Sequence, residues 1–321
     1  MSKHNIITNI VTRGQTGVSA ATVGWADVMT AYLAQKDVGS NETRKTYRKA
    51  LTQFFRWVGS SGRELSGMTT ADIVSYKQWL LDVRHCSSMT VSTYVTAIRG
   101  FYEWAEAEKM YPNIARTVRT GHDNEHIKMH LTREQTRMLL DYAETTGPRN
   151  FAMINLMLRC GLRTVEVSRA NLGDISYLEG KRILYIQGKG KRDKKRWVVL
   201  RDAAYKPLKE YFDEERAGAR QAEPLFVGQG KGSRGRRLST RTIQDICKRQ
   251  LRAIGLDSHL YSAHSLRHTA GVRIINNGGS VTDVQEVLGH ASVDTSRIYL
   301  KSANTEIRLA NPAERFLDDI D

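Results

Sequence analysis

Along residues 22–112 apolar side chains recur at the three-to-four spacing of helices that bury one face, with no strand-like alternation. Tyr47, Leu51, Phe54, Phe55 and Val58 follow a 3.6-residue period behind Ser40 or Asn41, either of which can cap a helix. Arg44, Lys45, Arg48 and Lys49 gather on its other side, so one face suits a core and the other phosphates. A second helix opens at Thr70 with Ile73, Tyr76 and Leu80 inward. A third follows Ser88 or Thr90, with Tyr94, Ile98, Phe101 and Ala105 inward and Arg99 outward. Four of the five tryptophans fall in this stretch, enough bulk for a small all-helical core. Residues 1–21 are polar and aperiodic and are expected to form a flexible arm. Over 113–129 the periodicity fades around Gly121, Asp123 and Asn124, which predicts a linker.

Beyond it, in 130–321, the pattern is mixed. Thr132 and Gln135 form a capping-box pair for one helix, and a second, over 150–159, should stop at Gly161 in a left-handed cap. The period then switches. Residues 182–187 and 196–200 read as two strands of a hairpin around a basic, glycine-bearing turn. Helical periodicity returns over 203–216, 239–254, 265–276 and 282–288, with Thr282 and Gln285 marking the start of the last. A final pair of helices should bracket Tyr299, with Ser292 capping the first. The Gly, Arg and Lys crowding of 228–237 predicts a mobile loop. The fold class is therefore mainly α with a small antiparallel β-sheet, in two domains: all-helical over 22–112 and α+β over 130–321.

Charge sharpens the picture. Forty-nine Lys and Arg against 34 Asp and Glu leave +15, which favours a polyanionic partner over an acidic small molecule. Both halves are positive: 16 basic against 11 acidic residues through Met129, and 33 against 23 beyond it. A protein gripping a duplex with two domains has that distribution; one with a single basic tail does not. The apolar runs fall short of a membrane span, and the start lacks a signal-peptide pattern, so a soluble, cytoplasmic, nucleoid-associated protein is expected. Cys86, Cys160 and Cys247 are scattered and odd in number, suiting neither a disulfide framework nor a zinc site.

Four short strings in the second half carry chemistry: Gly161-Leu-Arg-Thr-Val-Glu166, Gly188-Lys-Gly190, His264-Ser-Leu-Arg-His268 and Leu288-Gly-His290, with Tyr299 nine residues further on. Arg163 and Arg267 offer permanently charged, paired donors for phosphoryl oxygens. By itself, Arg163 reads equally well as a helix cap paired with Glu166. His264 shares a helix face with Arg267 and can accept a proton or donate to a phosphoryl oxygen. His264 and His268, four apart, also have the spacing of a metal pair, but the local sequence supplies neither a third ligand nor a carboxylate, and His268 reads as an interior residue. Lys189 can protonate a leaving oxygen, yet it sits among Lys181, Arg182, Lys191, Arg192, Lys194, Lys195 and Arg196, a run that reads as solvated surface; Lys191 is the second choice.

In order and spacing these strings resemble the tyrosine recombinase (phage integrase) family, over nearly the whole chain. The resemblance implies a core-binding (SAM-like) domain and a catalytic domain closing round double-stranded DNA, with Arg163, Lys189, His264, Arg267, His290 and Tyr299 catalytic and Glu166 supporting. It selects Lys189 through its flanking glycines. It also implies attack by Tyr299 to give a 3′-phosphotyrosyl link, conserving the bond energy so that neither cofactor, ATP nor metal is needed. Four protomers and a Holliday junction follow from the resemblance, serving integration, excision or resolution, with accessory proteins unspecified. Arg44, Lys45, Arg48, Lys49 and Arg99 are the expected DNA-binding residues of the first domain. The short N-terminal arm favours a Xer-like, two-domain layout. The tail 311–321, with Phe316, Leu317 and Ile320 among four acidic side chains, reads as an amphipathic helix that docks on a neighbouring protomer or on its own domain. A type IB topoisomerase and a non-catalytic architectural DNA-binding protein are the alternatives; the second predicts a damaged string, and all are intact.

Overall fold

The computed structural model describes residues 25–35, 40–63, 67–120, 129–188, 193–290 and 292–310, and the chain divides into two units, Met1–Glu125 and His126–Asp321. Among the described residues of the first unit, four helices, α1 (Trp25–Leu33), α2 (Asn41–Ser60), α3 (Thr70–Asp82) and α4 (Ser88–Ala107), surround an aromatic core. Ser40 caps α2 by accepting the Thr43 N–H, and Asp72 accepts the Thr69 N–H at 2.9 Å to start α3. Those bonds hold the Asp72 carboxyl below the ordinary carboxylate range. Phe54 and Tyr76 meet edge-on at 5.2 Å, Phe55 and Phe101 at 5.4 Å, geometry that adds about 0.5–1.5 kcal/mol per pair to simple burial. α2 is two-sided as expected: Leu51, Phe54 and Val58 are buried while Lys45, Arg48 and Lys49 are exposed.

Two expectations are corrected here. Arg99 does not project outward: it is half-buried and donates to the carbonyls of Ala115 and Val118. Those two residues are themselves buried in the core, so the chain stays packed on this unit past Pro112. A basic side chain beside a tight turn finds unpaired carbonyls there, and helix spacing alone cannot reveal that. The rest of the expected linker, 121–128, and the arm 1–21 lie outside the described residues.

The second unit holds α5 (Arg133–Thr145), α6 (Pro148–Cys160), α7 (Thr164–Arg169), strands β1 (Ile175–Leu178), β2 (Lys181–Ile186) and β3 (Arg196–Val199), then α8 (Asp202–Glu215), α9 (Thr240–Ala253), α10 (Ala263–Asn276), α11 (Val281–Leu288) and α12 (Asp294–Ala310). The sheet is antiparallel in the order β1-β2-β3, with Leu184 opposite both Ile175 and Val198. α6 is the central element: Ala152, Met153, Ile154, Leu156 and Met157 are fully buried. It ends at Gly161 with φ 62°, the left-handed cap expected there. A satellite cluster of Val272, Val284, Leu288, Tyr299 and Ala303 fastens α11 and α12 onto α10. Cys160 and Cys247 are buried, the former against the sheet and the latter against Met157, as small apolar groups.

Differences from the sequence reading are local. β1 was not expected; its four residues are too short and too exposed to alternate visibly. Ser280 and Asp283, not Thr282 and Gln285, cap α11. Tyr299 lies within one continuous helix, α12, instead of between two, because neither Gly nor Pro interrupts residues 294–310. The 228–237 segment folds back on itself through bridges Val227–Arg237 and Gly228–Arg234, and Arg237 donates to the carbonyls of Ser168 and Ala170. No helix among the described residues is long and apolar enough to cross a membrane.

Candidate active site

Chain reversals bring the separate strings together. The left-handed Gly161 turns the chain from α6 into α7, and Arg163 becomes the N-cap residue of α7. Glu166, three residues on, returns its carboxylate to that cap: Oε2 accepts the Arg163 N–H at 2.8 Å and Oε1 the Arg163 side chain at 3.0 Å. The cap reading of Arg163 is thus correct as local structure, but the guanidinium also reaches the carbonyls of Leu288 and Gly289, at 3.4 and 3.5 Å. Its side chain stays 28% exposed, so the charge faces both the cap and solvent.

Arg267 comes from the middle of α10 and is 1% exposed. It donates to the carbonyls of Gly161 and Leu288, each at 2.6 Å, and its Nε has no protein acceptor. Burial, with Arg163 beside it, brings its pKa down to about 10, which leaves it charged at neutral pH. Glu166, 1% exposed, lies 3.8 Å from Arg267 as well. A third guanidinium, Arg196 at the start of β3, meets the same carboxylate at 2.8 Å. Three cations around one buried anion leave net positive charge at the rim where Arg163 emerges.

α11 ends at Gly289, φ 62°, and the turn presents His290. His290 Nδ1 lies 2.8 Å from the Ser296 hydroxyl, and the imidazole stacks on Tyr299 at 5.7 Å with planes 15° apart. Burial and the neighbouring arginines push its pKa down to about 4, so the ring is neutral at pH 7. Tyr299 is 3% exposed, its ring lying over Gly271 of α10 and 4.8 Å from His268. Burial raises the phenol pKa, while Arg267 and Arg163 pull it back. His264 is exposed in the first turn of α10, one helical turn before His268.

Of the six predicted catalytic residues, Arg163, Arg267, His290 and Tyr299 are thereby gathered, and His264 stands on the same helix as Arg267. Lys189, with Gly190, Lys191 and Arg192, lies outside the described residues. The flanks of that turn are tied down: Arg169 donates to the Gly188 carbonyl and Lys194 pairs with Asp174. Sequence reasoning missed Arg196, submerged in the basic run. Its signal was alternation, since Val198 and Leu200 are buried while Trp197 and Val199 are exposed, which puts Arg196 on the inward side. It also missed that His268, with Nε2 3.3 Å from Ser302, is a wall for Tyr299.

The phage integrase family model matches residues 129–306, and the N-terminal SAM-like domain of phage integrases matches 27–110. The chain is 30% identical over 246 residues to tyrosine recombinase XerC of Caldanaerobacter subterraneus, covering 74% of this chain and 66% of that protein. It is 28% identical to tyrosine recombinase XerD of Pseudomonas putida over 84% of this chain and 89% of the relative. In fold it is similar to XerH site-specific recombinase in a post-cleavage complex with palindromic difH substrate, with TM-score 0.73, 20% identity, and coverage of 98% of this chain and 89% of the other. A lambda integrase fragment bound to a core site gives TM-score 0.65 at 17% identity, over 84% and 94% of the two chains. With Arg163 and Arg267 on one buried carboxylate, His290 stacked on Tyr299 close by, and the family model matching 129–306, more than half of the chain, the chain belongs to the phage integrase family, as a tyrosine recombinase that cleaves and rejoins DNA strands at specific sites.

Proposed function

We propose that Tyr299 attacks the scissile phosphate, forming a bond from its phenolic oxygen to phosphorus while the bond to the 5′ oxygen breaks, which leaves a 3′-phosphotyrosyl link and a 5′-hydroxyl. Arg163 and Arg267 neutralise the phosphoryl oxygens, a role suited to the exposed part of the Arg163 side chain and to the unpartnered Nε of Arg267. Deprotonating an ordinary tyrosine at pH 7 costs about 4 kcal/mol and burial adds to it, so the two guanidiniums are also the offset. Lys189 gives its proton to the departing 5′ oxygen. His264 accepts the phenolic proton as Tyr299 attacks and returns it on rejoining, and His290, neutral and accepting at Nδ1 from Ser296, presents Nε2–H to the phosphate. Rejoining reverses the step, with a 5′-hydroxyl of the same or another strand attacking the phosphotyrosyl link.

The observation that carries this reading is that Arg163 and Arg267, held by buried Glu166, act on the buried Tyr299 phenol, on which His290 stacks, though the four come from separate places along the chain. Duplex DNA is held in part by the exposed basic face of α2, through Lys45, Arg48 and Lys49 with Arg44 at its edge. Four protomers exchange strands in pairs through a Holliday junction, in the nucleoid, and mobile or plasmid DNA is the substrate. The test is incubation with nicked duplexes carrying candidate sites, resolved on a denaturing gel. The native chain is expected to give a protein-linked DNA band and Tyr299→Phe none; a band surviving the substitution refutes the nucleophile.

A further inference from the structure

Arg196 is absent from the six-residue set, yet its surroundings are built around it. Its Nη2 donates to Glu166 Oε1 at 2.8 Å and its Nη1 to the Val287 carbonyl, in the last turn of α11, at 2.7 Å. Its stem lies against Gly289: a Cβ there would fall 2.6 Å from Arg196 Cδ and 2.7 Å from Nε. Gly289 is therefore required twice, by its left-handed φ and by the arginine passing over it. One fork joins three elements: β3, the α7 carboxylate that holds Arg163, and the turn that presents His290.

From this geometry we infer that Arg196 is a positioning residue for strand cleavage: by sharing Glu166 Oε1 it leaves Arg163 free to turn a donor toward the phosphate, and by holding Val287 it fixes the turn bearing His290. The inference rests on the proposed roles of Arg163 and His290. Glu166 Oε1 accepts from Arg163 at 3.0 Å and from Arg196 at 2.8 Å, so that oxygen is divided between two donors. Without Arg196, Glu166 Oε1 is left to Arg163 alone and draws that guanidinium into the cap. Lysine cannot replace it, since one ammonium cannot span two acceptors held in a planar fork.

The test measures single-turnover cleavage of a nicked duplex at saturating protein, beside DNA affinity and melting temperature. For Arg196→Gln the expected result is a cleavage rate lower by roughly 10–100-fold, as for other residues that orient a reacting group from behind, with affinity within about threefold of native. Because Arg196 acts in part through Glu166, the Glu166→Gln/Arg196→Gln double variant should lose clearly less than the product of the two single losses. Arg196→Lys, which keeps the charge and most of the stem, should melt close to native and still cleave more slowly than native; it decides the matter alone if the Gln variant does not fold. Native-rate cleavage by Arg196→Lys or Arg196→Gln, or losses at 166 and 196 that multiply, would overturn the inference. If the native chain itself forms no covalent band, the fault lies in the proposed function and not in Arg196.

Discussion

Arg163 and Arg267 look interchangeable in a motif but differ physically. Arg163 is partly exposed and its backbone N–H, not its side chain, makes the shortest bond to Glu166. Arg163→Lys should therefore fold and bind DNA within a modest factor of native while cleaving slower by about two orders of magnitude, the loss typical of one missing donor on a developing charge. Arg267 is also a structural brace between Gly161 and Leu288. Arg267→Lys leaves one of those buried carbonyls unpaired, so a stability loss of about 1–3 kcal/mol should accompany the slow cleavage. Denaturant titration separates the two variants; equal stability would contradict the bracing role. The sequence exposed both arginines because each sits in a short string with fixed neighbours. Arg196 stayed hidden because a lysine- and arginine-rich turn looks the same whether one member faces inward or all face water.

Among elements, the contact of α10 with α12 decides whether Tyr299 is in place. Gly271 permits it: an added Cβ would lie 2.3 Å from Tyr299 Cδ1 and 2.4 Å from Cε1. Replacing a mid-helix glycine by alanine ordinarily gains about 0.5–1 kcal/mol. Here the overlap forces the helices apart at about 1–3 kcal/mol, so the net sign should be destabilising. Gly271→Ala is expected to melt lower and to cleave more slowly, read by thermal denaturation and the gel assay; a higher melting temperature with native cleavage would show that α12 tolerates displacement. Helix positions were legible from period and most caps from Ser or Thr near each start, as at Ser40 and Thr132. That one helix carries Tyr299 was legible too, in the lack of Gly and Pro over 294–310, whereas its docking against Val284 and Leu288 was not.

Across the whole molecule, acid should loosen the second unit first. His268 is buried beside His130 and His264, and burial pushes its pKa down to about 4 from an ordinary 6.5. Between those values the unfolded chain binds a proton that the folded chain does not, so stability is complete above about pH 6.5 and is lost as pH falls toward 4. His290, depressed to about 4, adds in the same direction. Melting temperature should drop through that window, and His268→Gln, at some cost in stability at neutral pH, should flatten the drop. The mixed fold of the second unit was readable from the switch of period near residue 182. His268 read as an interior residue, as it is; its neighbours His130 and Tyr299 were not readable, because those contacts join segments far apart in sequence.

The most direct measurement is to trap the covalent complex on a nicked duplex, digest it with trypsin and nuclease, and identify the modified peptide by mass spectrometry, while end-labelling the released strand. Nucleotide mass is expected on the peptide Ile298–Lys301, at Tyr299, joined through a 3′-phosphate, with a free 5′-hydroxyl opposite. Attachment to any other residue, or a 5′-phosphate on the released strand, would contradict it.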